Sequence, residues 1–344
     1  MRRRALVLLP PLGGCSVLGE WGYRARAFGS HVELLNLARP IERWLADPDT
    51  EPALRERLRQ AQAVRNFASQ ALALPDNASY RRYAHWPEPA VVWNVVAAPA
   101  LALTLRTWCF PVLGCVGYRG YPKRAEAQAL AAQLLREGWD VHLYGVPGYS
   151  TLGYSNGFGG DPLLSTFLRG GLADTARLVF HELAHQRAYA SDDSGFNEAY
   201  ATAVERLGLQ AWWAAHPDPA AQAEDLAREQ RRERWRQLAA QARADLLAIY
   251  ADEWSDRLAR KRARLVQLRA EFEALATQDP GFSGYLPWAR GANNAHLALL
   301  STYHQRVPAF EALFERSGRD WPRFHAEAQR LARLPRAERD ALLP

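Results

Sequence analysis

The chain has 344 residues, of which 48% are hydrophobic and 23% are charged, and these values exclude a disordered or fibrous protein. The formal net charge is +6, but no nucleic-acid-binding module of a known type is present, so we predict no nucleic-acid partner. The length accommodates a single catalytic unit with helical additions, which we place at residues 15–344.

The first residues have the pattern of an export signal. Three arginines precede a short apolar run, and a leucine then stands three positions before Cys15 with glycines between. A basic start, an apolar stretch and small residues before a cut site form a secretory signal, and the leucine-to-cysteine spacing resembles the lipobox of bacterial lipoproteins. We expect a signal peptide at 1–14, lipidation at Cys15, and membrane attachment through that lipid on the periplasmic side. Ser16 favours the outer membrane. The alternative is a buried first strand.

The spacing of apolar residues predicts the remaining elements. Apolar residues three and four apart indicate helices at 34–73 (two helices, broken by prolines), 124–137, 173–189, 196–209, about 221–250 and 253–277. Strands are predicted at 91–97, 112–118 and 140–146. The two long charged helices form a helical hairpin at about 221–277, and a loop at 278–291 separates them from two last helices. The expected fold class is α+β, with a small mixed sheet and a predominantly helical C-terminal half.

Two further cysteines, Cys109 and Cys115, stand six positions apart. In an oxidising periplasm a disulfide would join them. Their spacing is not the C-x2-4-C of a structural zinc site. Two buried free thiols are the alternative.

The segment that carries chemistry is His181-Glu182-Leu183-Ala184-His185. Residues four apart on a helix share a face, so both imidazoles can bind one metal ion while Glu182 lies beside them. The spacing is that of zinc proteases, in which the glutamate is the general base. The surrounding residues are apolar, and burying two histidines and a glutamate in such a helix is costly unless they are paired or bind a metal.

A third ligand is expected on the next predicted helix. Because only a short polar loop separates the two helices, they are antiparallel neighbours, which brings Glu198 back toward the histidines. Three protein ligands are typical of an open catalytic zinc site. Glu205 is seven residues further on the same face and is the rival ligand; if Glu198 binds the metal, Glu205 orients a histidine or is a solvated charge. The Asn-Glu pair that opens this helix resembles the third-ligand motif of gluzincin peptidases and favours Glu198.

The chain as a whole resembles a family of predicted bacterial zinc aminopeptidases, many of them lipoproteins. The resemblance rests on segments that span nearly the whole chain: FASQALALPDNASY, VVWNVVAAPALAL, WCFPVLGCVGYRGY, GYSTLG, DPLLSTFL, FHELAHQ, FNEAYATAVE and NNAHLALLSTY. One departure is the insertion YSNGFGG before Asp161. The resemblance implies a gluzincin-like core that binds one zinc ion and hydrolyses peptides as an aminopeptidase.

The expected mechanism is hydrolysis by zinc-activated water with Glu182 as the general base. The oxyanion needs a second stabiliser, for which the candidates are Tyr149, Tyr154, Tyr118 and Arg119. A carboxylate that holds the substrate's free amine would come from Asp161, Asp192 or Asp193. The alternative functions are a zinc amidase that acts on cell-wall or other non-peptide amides, and a non-catalytic lipoprotein scaffold.

Overall fold

The computed structural model describes residues 32–343, except 111–113, 149–150, 152, 154–155, 158, 253–254 and 301–305. The predictions of a signal peptide at 1–14, lipidation at Cys15 and sorting by Ser16 therefore lie outside the described residues. No helix in the described ranges is both long enough and apolar enough to cross a membrane.

Helices dominate the described chain. They are α1 (32–37), α2 (Ile41–Ala46), α3 (Pro52–Gln70), α4 (Arg124–Arg136), α5 (Leu172–Arg187), α6 (Ser194–Ala215), α7 (Pro219–Ala251), α8 (Arg257–Gln278), α9 (Leu286–Gly291), α10 (Asn294–Leu299), α11 (Val307–Arg316), α12 (Trp321–Ala332) and α13 (Arg336–Leu342). Two 3-10 segments lie at Phe167–Arg169 and Pro280–Tyr285. The strands are β1 (Arg39–Pro40), β2 (Arg82–Ala84), β3 (Val92–Ala98), β4 (Trp108–Phe110), β5 (Gly114–Val116), β6 (Arg119–Tyr121), β7 (Asp140–Val146) and β8 (Leu163–Leu164).

The strands form three small sheets, with orders β1-β2-β8, β6-β3-β7 and β4-β5. In the middle sheet β3 is antiparallel to both neighbours, and Asn94 lies opposite Gly120 on one side and Tyr144 on the other. Alternate residues share a face. One face, which includes Val95 and Leu143, packs against α4. The other carries polar side chains such as Asn94 and Tyr144.

The hairpin β4–β5 brings Cys109 opposite Cys115, and their sulfurs are joined in a disulfide. The expected single strand at 112–118 is wrong in its described part, because β5 ends at Val116 and β6 begins separately at Arg119. The reason is that two short strands pair in two different sheets, and an apolar run alone does not show where the chain changes partners.

The main core is built by α3, α5 and α6 together with α11 and α12. Fully buried side chains from these five helices meet there: Leu58, Val64, Phe180, Tyr200, Phe310 and Phe324. Gly208 permits the close approach of α6 to α5, since a Cβ at this position would lie 2.9 Å from Phe180 Cδ2. This packing fixes the relative position of the two helices that carry the predicted metal ligands.

The long helices α7 and α8 pack against each other, and a second apolar core lies beneath them. The expected loop at 278–291 is wrong: it contains a 3-10 segment and α9, and four helices (α10 to α13) follow it among the described residues instead of two. Phe282 and Ala289 are buried against the hairpin, and this burial orders the segment. The short spacing of apolar residues in the sequence did not reveal it.

Candidate metal centre

The helix α5 begins after Gly171, whose backbone N–H donates to Asp174 Oδ2 at 3.3 Å, and ends before Ala188, which is extended. Its apolar face, which includes Val179, Phe180 and Leu183, is buried in the core. The other face presents His181 and His185 one turn apart, with side chains 19% and 7% exposed. The helix α5 therefore places the two imidazole rings next to each other.

The helix α6 brings a carboxylate close to both imidazole rings. Glu198 Oε2 lies 3.3 Å from His181 Nε2, and its Oε1 lies 3.6 Å from His185 Nε2. The two histidine Nε2 atoms are 3.2 Å apart. One donor atom from each of His181, His185 and Glu198 falls within 4.8 Å of the others, and this is the group in the described chain that could hold a metal ion.

Asn197 determines how the chain returns from α5 to α6. Its side chain is 2% exposed; its Oδ1 accepts a hydrogen bond from Ala190 N at 2.7 Å and its Nδ2 donates to Ala190 O at 2.8 Å. Asp193 caps α6 by accepting from Phe196 N at 3.0 Å. The asparagine of the Asn-Glu pair thus closes the connecting loop, and the adjacent Glu198 faces the histidines as a result.

Two more buried contacts hold the far side of α6. His325 Nε2 lies 2.8 Å from Leu72 O, so this nitrogen carries the proton and Nδ1 accepts the hydrogen bond that Tyr200 donates, also at 2.8 Å. Both side chains are fully buried. They tie α6, two residues beyond Glu198, to α12 and to the segment just after α3.

Glu205 contacts His181 on the side away from Glu198. His181 Nδ1 lies 3.2 Å from Glu205 Oε2, and Glu205 Oε1 lies 3.6 Å from Arg177 Nε. The guanidinium of Arg177 donates to both oxygens of Asp225 on α7, at 2.5 and 3.0 Å. Sequence reasoning missed Arg177 and Asp225. Arg177 could have been found, because it lies four residues before His181 on the same helix face.

The carboxylates around the histidines favour a positive charge on the pair. Burial lowers the pKa of His181, but hydrogen bonds to Glu198 and Glu205 outweigh it and raise the pKa to about 10. Burial, followed by the charge of His181, lowers the pKa of His185 to about 4. The carboxylates therefore hold one positive charge at the two rings, and a divalent cation bound there would replace that proton.

The donor set fits a zinc ion. Two imidazole nitrogens and one carboxylate are the three protein ligands of open catalytic zinc sites. Glu205 is placed to fix the ring of His181 through Nδ1, the contact that a metal-binding histidine usually makes. His185 Nδ1 is buried and has no hydrogen-bond partner among the described residues, so packing holds that ring there.

Among the tyrosine candidates, Tyr149 and Tyr154 lie outside the described residues. Tyr118 is 41% exposed, and its pKa is raised by partial burial and then by the charges of Tyr189 and Glu198, so it lies within electrostatic reach of the site. Tyr118 in turn helps to raise the pKa of Tyr144, on the polar face of the middle sheet. The other candidate, Arg119, lies over the ring of Tyr121, 5.9 Å from its centroid.

The three aspartates considered for amine binding all have structural partners. Asp161 accepts hydrogen bonds from Thr151 N at 2.9 Å and Thr151 Oγ1 at 2.7 Å. Asp193 accepts from Arg306 at 2.8 Å and from the buried Arg339 at 3.0 Å, and Arg339 also binds Asp192 at 2.8 Å. These aspartates hold loops and the C-terminal helices in place.

A cavity of about 910 Å³ opens beside the site between α6 and α7. His181 and Glu198 line it, and it follows α6 to Trp213. At about 1.5 Å per helical residue this is about 22 Å along the helix axis, the length of roughly six or seven residues of an extended peptide.

Two histidines of one helix and a carboxylate of the next thus form a donor set that could hold a metal ion. The family model described as "Putative aminopeptidase" matches residues 22–343, and the chain belongs to this family. Membership supports a peptidase. No curated protein and no solved structure matches the chain.

Proposed function

We propose that the protein is a zinc-dependent aminopeptidase whose ion is held by His181, His185 and Glu198. The observation that carries the proposal is the meeting of these three donors within 4.8 Å of one another, in a chain that belongs to an aminopeptidase family. An ion in this position would supply Lewis acidity, which acidifies water and polarises a carbonyl group.

Glu182 is the general base in this proposal. It neighbours His181 on α5, and its charge helps to raise the pKa of that histidine, so its carboxylate lies within electrostatic reach of the site. It takes the proton from the attacking water and delivers it to the leaving amine. A structural metal site has no need of such a group.

Two other side chains support the reaction. Glu205 accepts the hydrogen bond from His181 Nδ1 and so fixes the direction of Nε2. Tyr118, which is near enough to Glu198 for that charge to raise its pKa, is the described tyrosine whose hydroxyl we assign to the developing oxyanion.

The proposal is tested by peptide hydrolysis with metal-free and zinc-restored protein. The substrates are peptides with free N-termini, the same peptides acetylated, and muropeptides. We expect zinc-dependent release of N-terminal residues from the free-amine set alone. Equal cleavage of acetylated peptides would refute the aminopeptidase assignment and leave a peptidase, whereas cleavage of muropeptides alone would favour a cell-wall amidase. Absence of zinc-dependent hydrolysis in all three sets would refute the proposed function.

A further inference from the structure

The first half of α7 is attached by charged groups to α5, the helix that carries His181 and His185. No side chain of residues 219–234, all of which the structure describes, belongs to an apolar core; the core contacts of α7 begin at Trp235. Asp174 of α5 binds Arg228, and also Arg232 at 3.3 Å. A further link to α5 is the pair between Arg177 and Asp225, and Arg231 pairs with Asp279 at 2.6 Å. These ion pairs therefore fix where this half of α7 lies.

One of these pairs continues to the metal centre. Asp225 accepts two hydrogen bonds from Arg177, Arg177 Nε faces Glu205 Oε1 at 3.6 Å, and Glu205 Oε2 lies 3.2 Å from His181 Nδ1. The side chains of Arg177 and Asp225 are each 12% exposed, and that of Glu205 is 21% exposed. The path crosses three helices, and its members are mostly buried although they line the cavity beside the site.

We propose that Asp225 is a positioning residue for the metal centre, which it reaches through Arg177 and Glu205; this inference rests on the proposed function. Both Nη atoms of Arg177 donate to the carboxylate of Asp225, and such a two-bond contact fixes the plane of the guanidinium. The Nε of Arg177 is therefore directed at Glu205. Glu205 then presents its other oxygen to His181. The helical hairpin thereby completes the metal site.

Without Asp225, Arg177 has other carboxylates to turn to. Its Nη1 lies 4.0 Å from Asp174 Oδ1, and the charge of Glu229 also acts on it. A guanidinium released from α7 would rotate toward these groups, and Glu205 would lose the neighbour that fixes its orientation.

The test compares Asp225→Asn with Glu224→Gln. Both remove one negative charge from adjacent positions of α7, but Glu224 is 71% exposed and pairs with Arg228 of its own helix. Zinc affinity is measured by competition with a chromophoric chelator. Loss of a direct partner of a metal-binding histidine costs about 10- to 100-fold in affinity, so for Asp225, one step further out, we expect about 3- to 10-fold weaker binding. Glu224→Gln should change the affinity by less than about twofold.

Two more variants distinguish an effect of Asp225 on the metal site from a general loosening of α7. Arg231→Gln removes the 2.6 Å ion pair with Asp279 and so loosens the same half of α7 without changing the partners of Arg177 named above, and it should leave zinc affinity unchanged. Asp225→Glu, which restores the carboxylate, should recover most of the affinity. Unchanged affinity in Asp225→Asn, or an equal loss in Arg231→Gln, would overturn the inference while wild-type zinc binding and hydrolysis stand. Wild-type protein that binds no zinc would instead refute the proposed function on which the inference rests.

Discussion

Replacement of Asn197 by alanine should loosen the metal centre without removing any metal ligand. The buried amide of Asn197 satisfies both the N–H and the C=O of Ala190, at 2.7 and 2.8 Å, and so closes the loop between α5 and α6. The adjacent Glu198 is the carboxylate that approaches the histidines. In the variant this loop loses its closure, and we expect Glu198 to lose its fixed position.

The magnitude follows from the two hydrogen bonds. Removing a side chain that leaves a buried N–H and a buried C=O without partners costs about 1–3 kcal/mol for each group, so the free energy of unfolding of the zinc-free protein should fall by about 3 kcal/mol. Zinc affinity should fall at least about tenfold in addition, the loss typical of disturbing the groups that orient a metal ligand.

The assay pairs urea denaturation of the zinc-free protein with zinc titration below the onset of unfolding. Asn294→Ala is the matched control: Asn294 is fully buried, its Nδ2 donates to Pro99 O at 2.8 Å, and its Oδ1 accepts from Tyr250 at 2.7 Å. It should lose similar stability and keep its zinc affinity. If both variants lose zinc equally, or if Asn197→Ala keeps wild-type affinity, the reasoning about loop closure is refuted.

Three other predictions follow from the site and the sequence. Glu182→Gln should keep its zinc and lose about two to four orders of magnitude in kcat; full zinc with near-normal turnover would show that Glu182 is not the base. Burial lowers the pKa of His325 to about 4, whereas the pKa of histidine in the unfolded chain is about 6.5. Between these pH values unfolding takes up a proton. The free energy of unfolding that is present above pH 6.5 is therefore lost as the pH falls toward 4. In the zinc-free protein this loss should reach about 3 kcal/mol, and urea denaturation of His325→Gln should show a correspondingly flatter pH dependence; an unchanged dependence would contradict it. Mass spectrometry of the native N-terminus should find a lipidated Cys15, and an intact Met1 would rule this out.

The parts of the site that depend on local geometry could be predicted from the sequence. His181 and His185 meet because they are one helical turn apart, and the short connection to α6 suggested that Glu198 would return to them. The same pattern could not reveal what places Glu198 next to the histidines, because Asn197 closes the loop by binding the backbone of Ala190 and not another side chain.

The contacts between distant segments were beyond such reasoning. Arg177 and Asp225 are 48 positions apart on two charged helices, and nothing in the spacing of either helix selects one ion pair among the many that are possible. Tyr118 stands directly before β6, which pairs in the middle sheet, and the apolar run at 112–118 gave the wrong strand there. Periodicity predicts which face of an element is buried, but not which other element covers it.

The zinc content of three proteins tests the central claim most directly. Wild type, Glu198→Ala and Glu205→Ala are dialysed against excess zinc and then against buffer, and metal is counted per chain by elemental analysis. We predict one zinc in the wild type, loss of zinc in Glu198→Ala, and retention with weakened affinity in Glu205→Ala. A wild type without zinc, or a loss confined to Glu205→Ala, would contradict the assignment of His181, His185 and Glu198 as the metal ligands.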